Sequence, residues 1–556
     1  MTHPQTAIIL AAGAPPPSLI SIYGKTCCAM LPIRGRPAIH RSLGYLAQLG
    51  IRRAIVGVRP EETRLPEFLA HSFGQRVEIV VRRIPEDRGP GYSLLQCLDA
   101  WASDARSEQG VLVVLGDTLF RLENDSRELL GESFVLTGPV EDSERWCLAE
   151  VDADGRVTRL EDKPRSNVPG LPALIGVYGL NPARDAMDAL AAEAVAGSPS
   201  IQLRHALRPY IESGRLRAHT AAEWTDCGNL DRYNEARRRA LPAREFNELS
   251  IDPLRGTITK RSRNRAKFLN EINYYRLLPP DLSIFFPRLV SFGIAPDDTF
   301  LTLEYYGYPT LSEMWLFEGF GPGFWQRTFR KLGQIIDCFA KHTAELSPGA
   351  AEALYWRKTL DRIAAWSSQG AEFQNLVAAP TLTLDGVVLE GWPRLQAALE
   401  PRVRQLCART QAAIIHGDLC FPNILFDPVN DLFKFIDPRG SFGDAGIYGD
   451  LRYDVAKLLH SIDGAYDCLI QDLFRLDGEG GVFRLDVYHP SNRPEVTGAF
   501  WEALRGRFRR DEIRFIEGLL FVSMTPLHAD SPQRQKALFL TGVRILNEVL
   551  GHENMP

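Results

Sequence analysis

The amino-acid sequence predicts an α/β protein of two domains, one alternating strand and helix, the other a small β-rich part ahead of a larger helical part. Three observations carry this expectation. The chain has 556 residues, too many for one compact domain at roughly 150 residues per unit. From residue 6 to about 120, short β-rich runs alternate with helical stretches, the pattern of βαβ units on a mainly parallel sheet. Near residue 244 that alternation gives way to a new β-rich start and then to long helical stretches.

The elements follow in order. TAIILAAG predicts a strand, HRSLGYLAQLG a helix, RRAIVGV and VEIVVRR two more strands, SLLQCLDAWASDA a helix, and VLVVLGD a further strand. RWCLAEVDADGRVTRLEDKP reads as a hairpin turning at Asp154 and Gly155, and PALIGVYGLNP as another buried strand. LDRYNEARRRA predicts a helix closing a first domain over 1–241, its basic last turn offsetting the helix dipole. The second domain, 244–556, opens with the β-rich FNELSIDPLRGTITKRS. The helix AKFLNEINYYRLL and strands at PRLVSFG and FLTLEYYG complete a small lobe of about 244–306. From about 307 to 556 the pattern is helical, with strands at AAIIHGDL, ILFD and LFKFID. A small β-rich lobe before a larger helical one is the order of a kinase-like fold.

Composition narrows the partners. Apolar residues make up 45% and charged residues 24%, which argues against a disordered, collagen-like or fibrous chain. The net charge of −5 gives no overall positive field to hold nucleic acid or an acidic membrane surface, so small-molecule partners are favoured. The start, MTHPQTAIILAAG, has no basic region and only a short apolar run. Neither a signal peptide nor a membrane span is expected, and a cytoplasmic location is. Nine cysteines without a CxxC pair read as reduced, mostly buried thiols rather than zinc ligands.

The run AAIIHGDLCFPNILFD, followed by LFKFIDPRG, carries the strongest chemical signal. Phosphoryl transfer needs one carboxylate to orient the acceptor hydroxyl and accept its proton, and oxygen ligands for Mg²⁺ on the phosphates. Asp418 suits the first task. Asn423, five residues on, and Asp437, nineteen beyond Asp418 at the end of an apolar strand, suit the metal, with His416 bracing the loop. Each piece alone is an ordinary turn at a strand end; the three in this order and spacing point to a kinase site. The motif resembles the catalytic and metal-binding loops of the aminoglycoside phosphotransferase and choline kinase family, relatives of the protein kinases. That resemblance implies that Lys260 contacts the α/β-phosphates and pairs with Glu271, and that FLTLEYYG, with Glu304, is the hinge binding adenine through backbone groups. It also implies that Asp454 anchors the loop. Trp315, Phe317, Phe320, Phe324 and Trp325 have the chemistry of a cage for a quaternary ammonium, with core packing the preferred reading.

The first domain shows LAAG at 10–13, LPIRGRP at 31–37, VLGD ending at Asp117, EDKP at 161–164, and EWTDCG containing Asp226. These resemble the motifs of the sugar-nucleotide pyrophosphorylase family, nucleotidyltransferases with a Rossmann-like GT-A fold. The resemblance implies that Leu10, Ala11, Ala12 and Gly13 cradle NTP phosphates through backbone N–H groups. It implies that Asp117 and Asp226 coordinate Mg²⁺ as pyrophosphate leaves, and that Lys163 contacts the acceptor phosphate. RGPGYSLLQ, with Gly89, resembles the base-recognition turn. Two departures stand out. Ala14, Pro15, Pro16 and Pro17 follow Gly13 where the family continues G-x-G-T-R-L, so its phosphate-contacting Arg is absent. Cys27 and Cys28 occupy the family's Pro-Lys places, and Lys25, three residues early, is the catalytic candidate from a shifted loop. A weakened transferase is the other reading of the same departures.

The expectation is therefore a bifunctional transferase, a Rossmann-like (GT-A) nucleotidyltransferase domain followed by a two-lobed protein-kinase-like domain. It would use ATP, a second NTP (CTP or UTP), Mg²⁺ and a small hydroxyl-bearing substrate, a sugar or an amino alcohol, to make an NDP-activated precursor. The arrangement resembles fusions of choline-phosphate cytidylyltransferase with choline kinase, and of sugar-1-kinase with sugar-1-phosphate nucleotidyltransferase, which serve capsule and surface-polysaccharide assembly. The alternative is an active small-molecule kinase with a degenerate, non-catalytic nucleotidyltransferase-like module. Acceptor, base and oligomeric state stay open.

Overall fold

A computed structural model of the chain describes residues 4–552 apart from positions 25, 34, 74–75, 105–108, 124–127, 240–246, 263, 296–297, 318, 348, 443–445 and 491. It divides into two units, Met1–Ala240 and Leu241–Pro556.

In the first unit nine strands form one sheet: β1 (Thr6–Leu10), β2 (Arg53–Val58), β3 (Glu78–Arg83), β4 (Val111–Leu115), β5 (Phe134–Gly138), β6 (Cys147–Val151), β7 (Val157–Asp162), β8 (Ala173–Leu180) and β9 (Arg217–Thr220). Their order is β7-β6-β8-β4-β1-β2-β3, with β5 beside β8 and β9 beside β5. β1 runs parallel to β2 and β4, and β2 to β3. Every residue of β1 and of β8 is buried, as expected of strands with both faces covered. The helix Ala38–Gln48 buries Ala38, Ile39, Leu43 and Leu46, one stripe of a 3.6-residue repeat. The helix Pro90–Ala102 starts with Pro at a position that needs no N–H and buries Leu94, Leu98 and Trp101. The predicted hairpin is β6–β7, with Gly155 at φ 80° in its turn. β1 and β4 end side by side, Gly116 N–H donating to Leu10 O at 2.9 Å. The crevice beyond the carboxyl ends of parallel strands therefore opens at Ala11 and at Asp117.

The second unit opens with the antiparallel strands β10 (Asn247–Asp252), β11 (Thr257–Ser262), β12 (Leu289–Ala295) and β13 (Asp298–Glu304), ordered β10-β11-β13-β12. The helix Arg265–Leu277 is capped by Asn264, whose side chain accepts from Lys267 N–H. Helices dominate thereafter, among them Leu311–Phe317, Pro322–Phe339, Lys358–Ser367, Trp392–Ala408, Leu451–Ile462, Arg510–Met524 and Pro532–His552. This part holds more strand than the sequence pattern suggests. Thr381–Leu384, Val387–Glu390, Phe474–Glu479 and Val482–Val487 form a four-stranded sheet. Val387, Val388 and Val482 stay exposed, so these short runs lack the continuous burial that marks a core strand. Trp315, Phe317 and Trp325 are core residues, each 2% exposed or less, which decides between packing and an aromatic cage for those three.

Candidate active sites

In the first unit Asp117 lies two residues beyond β4. Asp226 ends the strand Glu223–Asp226, which pairs antiparallel with Thr118–Arg121 and sets Asp226 opposite Thr118. Cys227 N–H donates to Asp117 O at 2.8 Å, and Gly228 N–H donates to Asp226 Oδ1 at 2.7 Å. The two carboxylates converge over Gly228, where a Cβ would sit 2.5 Å from Asp117 Oδ2 and 3.0 Å from Asp226 Oδ1. Burial and then the Asp226 charge push Asp117 up to about 6. Burial also raises Asp226, against the Gly228 N–H and Arg232. Carboxylates held together at this cost suit a divalent cation. Among the described residues no cluster of three or more His, Cys, Asp or Glu side chains forms. One or two carboxylates, with the remaining positions left to phosphate and water, is how Mg²⁺ is commonly held.

Lys163 takes a left-handed φ of 52°, and its N–H donates to Trp146 O at 2.9 Å. It lines a cavity of about 510 Å³ with Asp117, Asp226, Arg145, Arg204 and Arg232. Arg204 pairs with Asp162 at 2.8 Å and Arg232 with Asp142 at 2.5 Å, while Lys163 has no carboxylate partner among the described residues, so the carboxylate pair and Lys163 offer separate places for a metal and for phosphate oxygens. Leu10, Ala11, Ala12, Gly13 and Gly89 do not line it. Gly13 sits in open space, with nothing within 4 Å of a Cβ built there. Gly89, at φ 87°, packs against residues 200–202, where a Cβ would meet Ile201 O at 2.8 Å. Lys25 falls outside the described residues.

In the second unit the signature loop runs from the strand Ala412–Ile414 to the short turn Phe421–Asn423. His416 is fully buried. Burial lowers it to about 4, so the ring is neutral. Its Nε2 donates to Ile436 O at 3.0 Å and its Nδ1 accepts from Asp418 N–H at 3.2 Å, since a carbonyl only accepts and an amide N–H only donates. Asp454 accepts from the N–H groups of His416 and Gly417, both at 2.7 Å. Asn423 Nδ2 donates to Asp418 O at 2.8 Å and to Oδ2 at 3.1 Å. Ile436 N–H reaches Asn423 O at 3.0 Å, which sets Asp437 beside that loop. Lys260 Nζ bonds Glu271 at 2.8 and 2.9 Å and Asp437 Oδ1 at 2.9 Å. The two carboxylates keep Lys260 protonated against burial, while burial pushes Glu271 up to about 7. Glu304 pairs with Arg288 at 3.3 Å at the end of β13. Lys260, Glu271, Asp418, Asn423 and Asp437 line one cavity of about 890 Å³.

One residue of this cavity escaped sequence reasoning. Lys457, on the helix Leu451–Ile462, places Nζ 2.9 Å from Asp418 Oδ1. Burial opposes the charge on Asp418, but the Lys457 ammonium holds that carboxyl well below the ordinary carboxylate range. A lone lysine inside the apolar helix LRYDVAKLLHSI was the only signal available.

Comparison with known proteins gives a family match for a stretch of each unit. Residues 7–192 match the family described as MobA-like NTP transferase domain, and residues 324–488 match the Phosphotransferase enzyme family. The chain thus carries a stretch matching an NTP transferase domain ahead of one matching a phosphotransferase family. It is similar to a glucose-1-phosphate thymidylyltransferase of Streptomyces antibioticus, 33% identical over 127 residues, and covers 34% of that relative's length and 22% of its own. A glucose-1-phosphate thymidylyltransferase of Xanthomonas campestris pv. campestris is 25% identical over 245 residues, 41% of this chain and 78% of the relative. Among solved structures, a UDP-glucose pyrophosphorylase complexed with UDP-glucose aligns at 20% identity over 42% of this chain and 97% of its own, with a TM-score of 0.34. HddC from Yersinia pseudotuberculosis aligns at 20% identity over 43% and 99%, also with a TM-score of 0.34.

Proposed function

We propose that the protein is a bifunctional cytoplasmic enzyme whose C-terminal unit phosphorylates a small hydroxyl compound with ATP and whose N-terminal unit joins the product to an NMP. The observation that carries this reading is that each unit gathers its own set. Asp117, Asp226 and Lys163 share one cavity, and Lys260, Glu271, Asp418, Asn423 and Asp437 share another.

In the kinase step Asp418 orients the acceptor hydroxyl and takes its proton. The hydroxyl oxygen bonds to the γ-phosphorus as the bond to the β,γ-bridging oxygen breaks, and ADP leaves. Lys260, fixed by Glu271, steadies the nucleotide phosphates; Asn423 and Asp437 are the residues to hold Mg²⁺. In the transferase step Lys163 holds the acceptor phosphate, whose oxygen bonds to the α-phosphorus of the second NTP as the α,β-bridging bond breaks and pyrophosphate leaves. Asp117 and Asp226 are the Mg²⁺ residues there. At both sites the ion's chemistry is to neutralise charge on phosphate oxygens. The names of the relatives favour a sugar phosphate as acceptor and add dTTP to CTP and UTP as candidate donors. The product would be an NDP-activated precursor for surface glycan.

A second reading, a degenerate N-terminal module, is favoured by one observation. Pro15, Pro16 and Pro17 have no backbone N–H to offer phosphate. The deciding measurement is pyrophosphate release from CTP, UTP, dTTP and GTP with sugar 1-phosphates and phosphorylated amino alcohols. Release that disappears in Asp117→Ala supports an active transferase, and none with any pair supports the degenerate module.

A further inference from the structure

The cavity around Asp418 is lined by further charged residues that phosphoryl transfer leaves unexplained. Arg362, Arg439, Tyr453 and Lys457 line it together with Asp418, and Lys358 lines an adjoining cavity of about 420 Å³ that shares Arg439. The four cations come from three segments. Arg439 follows Asp437 by two residues and donates its N–H to His416 O at 2.9 Å. A Cβ built on Gly417 would lie 3.0 Å from Arg439 Cβ, so Arg439 flanks the loop one residue from Asp418. Lys358 and Arg362 stand one turn apart on the helix Lys358–Ser367, and Lys457 rises from Leu451–Ile462.

Lys457 is taken up by Asp418. The other three have no carboxylate partner among the described residues. Lys358 Nζ reaches Tyr453 Oη at 3.5 Å and lies 5.1 Å over that ring. Arg362 Nη1 donates to Ser523 O at 3.2 Å. The Arg439 guanidinium lies 5.4 Å over the Phe442 ring. The grouping also shifts the acidity of its members. Burial, with Arg439 and Arg362, presses Lys358 down to about 8. Against burial, Lys358, Lys457 and Arg439 draw the Tyr453 phenol down to about 8. Unpaired cations crowded at a cavity wall are costly unless an anion joins them, and such perturbed clusters concentrate at functional sites.

We propose that Arg362 and Arg439, with Lys358 next to them where the adjoining cavity shares Arg439, form an anion subsite at the edge of the kinase cavity, so that the compound phosphorylated there carries a carboxylate or phosphate besides the hydroxyl oriented by Asp418. This rests on the kinase reading above and narrows it. An amino alcohol would bring its cation against three unpaired cations, whereas a sugar acid or a sugar phosphate would complete the charge set.

The test uses the full chain with Mg²⁺ and four matched probes: glucose, gluconate, glucose 6-phosphate and choline. Melting temperature is read with a non-hydrolysable ATP analogue, and ADP release with ATP. Gluconate or glucose 6-phosphate should raise the melting temperature and drive ADP release at least about tenfold more efficiently than glucose or choline; which of the two succeeds distinguishes carboxylate from phosphate. Arg439→Gln and Lys358→Met should each raise KM for the anionic probe on the order of 10- to 100-fold with KM for ATP unchanged, while Arg439→Lys keeps the preference. An equal response across the panel, or preference for glucose or choline, overturns the subsite. So do variants that weaken ATP instead, which would assign the cluster to the nucleotide. The kinase reading is checked separately by the slow, acceptor-independent release of ADP, expected to vanish in Asp437→Ala. Persistence of that release in the variant, with anion selectivity intact, would sink the kinase reading and leave the subsite standing.

Discussion

Asp418 and Lys457 meet at 2.9 Å, and that contact decides what kind of carboxylate Asp418 is. With its acidity strengthened by the ammonium, Asp418 stays ionised across the physiological range; in the proposed kinase step it would act first by orienting the hydroxyl, accepting the proton only as the bond to phosphorus forms. Replacing it by Asn keeps the size and removes the charge. ATP-dependent phosphorylation should fall by ~10²-fold or more, with ATP binding by titration calorimetry largely retained; near-normal turnover would remove Asp418 from the mechanism. Lys457→Met tests the pair from the other side. Without the ammonium, burial raises the Asp418 pKa, so the protonated form enters the assay range. The kinase rate should then fall on acidification beyond any fall the parent protein shows through Glu271, which burial has pushed up to about 7. A uniform loss at every pH would mean that Lys457 acts on something other than the Asp418 charge.

At the scale of elements, the helix Leu451–Ile462 organises the loop it faces. Asp454 in its first turn satisfies two buried N–H groups, of His416 and Gly417, and Lys457, close to one turn on, holds Asp418. Asp454→Ala strips both donors of their acceptor. It should cost about 2–6 kcal/mol at 1–3 kcal/mol per buried unsatisfied group, seen as a lower melting temperature by calorimetry together with lost kinase activity. An unchanged melting temperature would show that the loop holds itself. The sequence made this loop legible because its polar residues recur at fixed offsets between apolar strands, and it made β1, β4 and β8 legible because strands covered on both faces read as unbroken apolar runs. The helix's part in the site was not legible. Lys457 is thirty-nine residues beyond Asp418, and only the packing of helix on strand brings them together. The sheet of Thr381–Leu384 and Val387–Glu390 with Phe474–Glu479 and Val482–Val487 was missed for a related reason. Its Asp385–Gly386 turn, both residues at positive φ, is a hairpin signal, but Thr383 and Leu384 pair with Val482 and Phe483, almost a hundred residues away.

At the scale of the whole molecule, two transferase domains in one chain make sense as consecutive steps. A nucleotidyltransferase needs a phosphate oxygen as nucleophile, and a kinase makes one from a hydroxyl. Covalent linkage would raise the local concentration of a compound made by one unit and used by the other, which would favour coupling without requiring a channel. The prediction is that the phosphorylated product of the C-terminal unit is the acceptor of the N-terminal one. Wild type given ATP, a second NTP and the unphosphorylated compound should form the NDP-linked product, read by chromatography with pyrophosphate release. The Asp418→Asn variant should do so only when supplied with the pre-phosphorylated compound, and Asp117→Ala should stop at the phosphorylated intermediate with kinase turnover intact. Equal loss of both activities in either variant would point to misfolding or a single shared site. An N-terminal unit that ignores the kinase product but accepts an unrelated phosphate ester would break the sequence of steps, because the two chemistries would then share a chain without sharing a compound.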